Sequence, residues 1–256
     1  MTTKLLTFVT FLGLSNLTFG QDDPKVLADK IMVKAKLIYE LEKAAWTTGD
    51  LIAKTTDPNL SKVESYVSYK TDSAVHCVFY SKNDTILFDY SFKNIDKEPI
   101  LTMTLRPADN NEITLIKIKR SIKSKLLNKE LKQAKKDKNT TFNFIPIIID
   151  NQPACYLLNA INDNSQMILG RDYLVQLDKD LNITDVKGNH KSTQFISFDT
   201  PAKAFFHTHV KLDTFFETEI ATLMLYKPYL KTIEFTVMSQ KFTSNWSNAT
   251  NTLTIK

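Results

Sequence analysis

The sequence predicts an α+β protein with more strand than helix. Three observations carry that expectation: apolar residues at helical spacing from Val26 to Leu41, runs of apolar–polar alternation beginning at Val63, and a basic amphipathic stretch in mid-chain. The architecture expected is antiparallel-rich sheets, an N-terminal helix, a mid-chain helix, and a short helix packed on a C-terminal sheet.

Residues 1–20 are set aside first. Lys4 supplies a positive start, Leu5 to Leu14 an apolar run, and Thr18 and Gly20 small residues before Gln21, the pattern of a cleavable secretory signal. No cysteine marks a lipoprotein anchor, and no later segment approaches about 18 uninterrupted apolar residues, so no transmembrane segment is expected in the mature chain. The protein is therefore expected to be exported, to the periplasm or beyond the cell.

Pro24 suits the first turn of a helix capped by Asp22 or Asp23, and Val26, Leu27, Ile31, Val33, Leu37, Ile38 and Leu41 make its apolar stripe to about Ala45. Gly49 and Pro58 mark a loop, with Trp46 at its base. Val63–Tyr69, Ala74–Tyr80 and Ile86–Phe92 then alternate across polar turns, Ile100–Leu105 makes a fourth strand, and Pro107 precedes the basic helix. These elements form an N-terminal α+β region, 21–137. A C-terminal α+β region, 138–256, follows the polar stretch Lys135–Thr140. Its strands are expected at Phe142–Ile149, interrupted by Pro146, and at Cys155–Ala160, Met167–Leu169, Tyr173–Leu177, Ile183–Val186 and Phe195–Phe198. After the helix from about Phe215 to Tyr226, limited by Pro228, come Phe235–Met238, Phe242–Trp246 and Leu253–Ile255.

Composition narrows the function classes. The chain is 43% hydrophobic and 24% charged, ordinary for a globular protein. Its formal charge of +5 is mild, and much of it lies in Lys117–Lys138, where ten Lys or Arg face only Glu130 and Asp137. Leu115, Ile118, Ile122, Leu126 and Leu131 run through that segment at helical spacing, which makes the lysines the solvent face of an amphipathic helix. No aromatics interleave with them as a base-stacking platform requires, so nucleic acid is not an expected partner; an unidentified protein or glycan is. Cys77 and Cys155 permit one disulfide in an oxidising compartment, or two buried thiols; the alternation of Cys77 with Val75 and Phe79 favours the second. Asp178, Asp180 and Asn182 have calcium-loop spacing but lack the glycine and glutamate that complete such a loop, so a hairpin turn is expected.

The stretch with chemistry in it is Ala204–His209. It reads as a strand, and side chains two apart on a strand share a face, so His207 and His209 present two imidazoles to one point. The following helix carries Glu217 and Glu219 in its first turn. Thr214 and Glu217 stand at capping-box spacing, which assigns Glu217 to the helix end and leaves Glu219 beside the apolar stripe of Leu223 and Tyr226. A carboxylate there needs a partner: a metal, a water, or a histidine cation. Two imidazoles and one carboxylate suit zinc. The competing expectation is an exposed histidine pair on an edge strand with Glu219 as a salt-bridge partner. His190 and His76 stand alone in the sequence and are expected outside the site.

The segment from about 202 to 247, with His-x-His on a strand, a short loop, an acidic residue in the first helical turn and two strands, resembles the JAMM (JAB1/MPN+) metalloprotease core. The chain as a whole, with its short signal ending at Gln21, resembles uncharacterised secreted proteins of Bacteroidota. The JAMM resemblance implies zinc held by His207, His209 and Glu219, and hydrolysis by a metal-bound water. The pattern departs from the family in four places. Val210 replaces the proline after the second histidine, Glu219 replaces an aspartate, and Phe216 stands at the serine position. No glutamate lies between Glu130 and Glu217 to act as general base, which leaves Asp150, Asp172 and Asp199 as substitutes and no catalytic residue assigned. Three readings follow: a zinc-binding, JAMM-like exported protein, a hydrolase or the remnant of one; a non-enzymatic binding module; and a polyanion binder working through Lys117–Lys138.

Overall fold

The structure, a computed structural model, describes residues 23–256 except 103–104, 164, 189, 191, 200–202, 211 and 232–233; the candidate signal lies outside the described residues. The expected α+β class holds, with three α-helices and antiparallel-rich sheets among the described residues.

Helix α1 spans Pro24–Ile52, opened by the Asp23 carboxylate accepting from the Lys25 amide. It runs past Ala45, through Gly49. A helical glycine costs about 1 kcal/mol relative to alanine, and here the last turns bury Thr48 and Ile52, which offsets that cost.

The first sheet is a meander of β1 (Val63–Lys70), β2 (Val75–Ser81), β3 (Thr85–Phe92) and the short β4 (Ile100–Thr102), with β5 (Arg106–Pro107) also on β3. Helix α2 spans Asn110–Leu127 behind a capping box in which Asp109 and Glu112 serve each other's backbone amides. The expectation that its cations all face solvent needs correction. Lys119 is 2% exposed; its ammonium donates to the Tyr66 carbonyl at 2.7 Å and lies 3.6 Å from the centre of that ring. Arg120 bridges Glu64 and Asp84. Two of the ten cations are thus tied to the first sheet, which shortens the basic stripe the polyanion reading required.

The second sheet, in the order β10–β9–β7–β6, is built from β6 (Thr140–Ile149), β7 (Gln152–Ile161), β9 (Tyr173–Leu177) and β10 (Ile183–Gly188). Pro146 is accommodated because β6 is an edge strand of this sheet. Strands β9 and β10 pair across the Asp178–Asn182 turn, where the Asp178 carboxylate accepts from the amides of Asp180 and Asn182. That carboxylate closes a hairpin turn. Cys77 and Cys155 are buried free thiols, and burial pushes the Cys155 thiol up to about 12.

Strands β8 (Gln166–Leu169) and β11 (Gln194–Ser197) form a separate antiparallel pair. The last sheet runs β12 (Ala204–Thr208), β13 (Glu234–Met238), β14 (Thr243–Ser247) and β15 (Thr252–Ile255). Strands β12 and β13 are parallel, joined through helix α3 (Glu217–Tyr226), as a parallel connection requires. The core under this sheet takes Ile220 and Leu223 from α3, Phe235 and Trp246 from the strands, and Ala28, Ile31 and Ala35 from α1. The first turns of α1 therefore hold the element that carries Glu219.

Candidate metal centre

Strand β12 and the first turn of α3 meet as the sequence pattern requires. In a parallel ladder, alternate residues direct their backbone groups to one neighbour. Lys203 O accepts from the Glu234 amide and the His209 amide donates to Met238 O, so the odd-numbered residues face β13 with their backbone. Their side chains, His207 and His209, then share one face. The rings are buried, 8% and 4% exposed by residue, although β12 is an edge strand. The expectation of an exposed histidine pair is overturned by α3 covering that face.

Helix α3 starts at Glu217, and its end is satisfied differently from the sequence reading. Glu219, three residues beyond Phe216, turns its Oε2 back to accept from the Phe216 amide at 2.7 Å. Thr214 gives its hydroxyl to the Phe215 carbonyl, and Glu217 Oε1 accepts from the Tyr156 hydroxyl at 2.7 Å. Glu219 takes the capping duty expected of Glu217 and keeps its place beside the histidines. The backbone bond fixes Glu219 in place and aims its second oxygen inward.

That oxygen, Oε1, has no surface exposure and no well-aligned hydrogen bond. Around it stand three imidazole nitrogens: His207 Nε2 at 3.2 Å, His209 Nε2 at 3.4 Å and His190 Nε2 at 3.5 Å. His190 completes the cluster, against the expectation that it stands apart. Its Nε2 lies 2.6 Å from His209 Nε2, which is 2.9 Å from His207 Nε2. His190 precedes β11 and lies 19 residues before His209, with no spacing that announces a ligand. His76 is elsewhere, stacked on Tyr69 and bonded to Asp89.

Electrostatics sharpen the picture. Burial pushes the Glu219 carboxyl up, but His207 and His209 beside it, together with His190, outweigh burial and hold it below the usual carboxylate range. Burial pushes His190 down to about 4, Glu219 opposing and the other two rings adding to the fall. His209 Nδ1 lies 2.7 Å from the Thr214 carbonyl, which only accepts. The Nδ1 proton is therefore committed, which leaves Nε2 as the ring atom that faces the cluster. An imidazole lone pair and a carboxylate oxygen that face each other at 3.4 Å repel unless a cation or a proton lies between them.

The four donor atoms lie within 4.8 Å of one another. Zinc–nitrogen bonds of about 2.0–2.1 Å imply donor–donor edges of about 3.3–3.4 Å in a tetrahedron; the three separations to Glu219 Oε1, 3.2–3.5 Å, match that edge, and the His209 contacts to His190 and His207, 2.6 and 2.9 Å, are shorter and would open around an ion. Together His190, His207, His209 and Glu219 can hold a metal ion.

A corner between β8 and β9 supports the cluster. Gly170 has φ +99°, and a Cβ there would lie 2.6 Å from the Ser192 carbonyl and 2.9 Å from His190 Nδ1, so only glycine lets the His190 segment sit this close. Arg171 and Thr193 both bind Asp137. Asp172 accepts from the Asn159 amide at 2.8 Å and from the Thr218 hydroxyl at 2.7 Å, next to Glu219. Asp172 is thereby committed to holding α3. Asp150 sits exposed in the β6–β7 turn, and the Asp199 side chain is 93% exposed beside Lys231. None of the three substitutes for a general base belongs to the cluster.

Among the described residues, no helix is long and apolar enough to cross a membrane. Compared with protein-family models, with curated proteins and with solved structures, the chain matches none.

Proposed function

We propose that this is an exported metalloprotein whose His190, His207, His209 and Glu219 hold zinc, in a degenerate form of the JAMM-type centre. The carrying observation is Glu219 Oε1, a buried acceptor with no well-aligned hydrogen bond, ringed by three imidazole nitrogens at 3.2–3.5 Å. Three imidazoles and a carboxylate favour a borderline transition ion over calcium or magnesium, which take mostly oxygen ligands. The succession β12–α3–β13–β14 supports the JAMM likeness, since it presents the histidine strand, the acid-bearing helical turn and two further strands in that order. His190 is the point of divergence. It supplies a fourth protein donor where a catalytic zinc keeps a water, and four protein donors are the signature of a site that holds its ion tightly. The ion would supply Lewis acidity and a fixed positive charge. With no second carboxylate in the cluster among the described residues, holding the ion is the better supported role, and hydrolysis the lesser. Export rests on the pattern of residues 1–20.

A non-enzymatic binding role has its own support. Phe195, Phe206, Val210 and Met238 are large apolar residues left exposed around the β11–β12 region, a composition suited to a partner surface.

Elemental analysis tests the primary reading. The mature chain, produced with zinc and dialysed against a weak chelator, is expected to keep one equivalent, and the His207→Ala/His209→Ala variant to keep none. A wild-type chain that retains well under half an equivalent of any transition metal sinks it.

A further inference from the structure

Against the metal cluster lies a cleft of about 410 Å³. Two of the four donors, His190 and His207, form part of its wall; His209 and Glu219 do not line it, and their side chains are sealed at 1% and 0% exposure. The cleft thus meets the cluster mainly at His190, whose side chain is 15% exposed against 5% for His207. The two rings on its wall are also those that stand furthest apart. The His190 and His207 ring centres are 5.3 Å from each other, against 4.8 Å for His207–His209 and 4.4 Å for His190–His209.

The rest of the wall has a definite chemistry. Phe206, Met238 and Leu169 give it apolar surface. Phe206 and Met238 lie on the face of the β12–β13 ladder opposite His207, so the cleft wraps the edge strand β12, and they are 58% and 43% exposed. Ser192, Gln194 and Thr208 add neutral polar groups. Apart from the histidines, none of the described wall residues is ionisable. A divalent ion in the cluster, with Glu219 as the only carboxylate donor among the described residues, leaves one positive charge uncompensated at the head of a cleft whose other described wall residues are uncharged and partly apolar. Such a charge, behind low-dielectric walls, selects a ligand carrying one negative charge.

We propose that this cleft is a ligand site for a monocarboxylate on an apolar body, with the carboxylate directed to the gap between His190 and His207 and the apolar part on Phe206 and Met238. The inference rests on the metal reading above. It adds to that reading the class of molecule the site takes.

The test uses the full mature chain loaded with cobalt(II), whose visible absorption reports its donors, titrated with 3-phenylpropionate, acetate and 3-phenylpropanol. Phenylpropionate is expected to change the cobalt spectrum and to bind about tenfold or more tighter than acetate, through burial of its ring. Phenylpropanol, which lacks the charge, is expected to bind at least about tenfold more weakly than phenylpropionate. The exposed-residue variants Phe206→Ala and Met238→Ala should each weaken phenylpropionate about threefold or more while leaving cobalt uptake and acetate binding unchanged. A chain that takes up no cobalt overturns the metal reading itself. A chain that takes up one equivalent yet binds phenylpropionate no better than acetate, or equally well in both variants, overturns the cleft alone.

Discussion

Replacing His190 by alanine separates a four-donor centre from the His207–His209–Glu219 triad that the sequence suggests. In the structure His190 Nε2 is 2.6 Å from His209 Nε2 and 3.5 Å from Glu219 Oε1, against 2.9–3.4 Å among the other three donors. If the four share the work of a closed zinc site, whose apparent binding free energy is about 10–16 kcal/mol, each contributes roughly 2.5–4 kcal/mol. His190→Ala should then weaken zinc about 10²- to 10³-fold. The assay is competition with a chromophoric chelator at fixed pH, which reads the dissociation constant directly. Thermal unfolding gives an independent reading, because an ion that binds only the folded chain stabilises it by about 2.7 kcal/mol at a hundred times its dissociation constant. At about 2–4 °C per kcal/mol for a chain this long, excess zinc should raise the wild-type Tm by roughly 5–11 °C, and much less in the variant at the same concentration. A variant within threefold of wild-type affinity, with the same zinc-induced rise, refutes the reasoning.

Two further outcomes follow from groups around and away from the centre. Gly170→Ala places a Cβ 2.6 Å from the Ser192 carbonyl at a φ of +99°, so the metal-free chain should lose about 1–3 kcal/mol and zinc affinity should fall with it; urea unfolding and chelator competition read the two losses separately, and no change in either refutes the role given to that corner. Lys119 is held down at about 8 by burial, with Lys123 adding to the fall, against 10.5 in the open chain. Between those values the unfolded state keeps a proton that the folded state lacks, so this group makes stability rise with pH across that window, by roughly 3 kcal/mol in full. Lys119→Met should flatten the rise in urea unfolding between pH 8 and 9.5 and be the more stable chain at pH 7; parallel pH profiles in the two chains refute it.

The fold was legible wherever periodicity alone decides an element. The alternation from Val63 to Phe92 became the β1–β2–β3 meander, and the apolar run Phe142–Ile149 became β6, with Pro146 inside it. Reading failed where tertiary contacts override local preference. Gly49 suggested a loop, but α1 continues through it because its last turns are buried. Lys119 belonged by composition to a basic surface, yet its stem passes inward to a strand carbonyl, a position no periodicity of lysines reveals.

The centre divides along the same line. His207 and His209 were legible because two residues on one strand carry their own geometry: the period of a strand puts both rings on one face whatever the rest of the chain does. Glu219 was legible as a donor but for an incomplete reason. The Thr214–Glu217 spacing assigns the cap to Glu217, whereas Glu219's own reach back to the Phe216 amide is what aims Oε1 at the rings. His190 could not be found this way, because its place depends on a corner distant from it in sequence, where Gly170 leaves room and Asp137 gathers both Arg171 and Thr193. A faint signal existed in retrospect. Gly170 is among only five glycines in the chain, and a glycine that ends a strand implies a close approach by some other segment. What approaches is set by the return of the chain from β10 to β11. The local part of a ligand set is thus written in residue spacing, and the part that closes it is written in the topology.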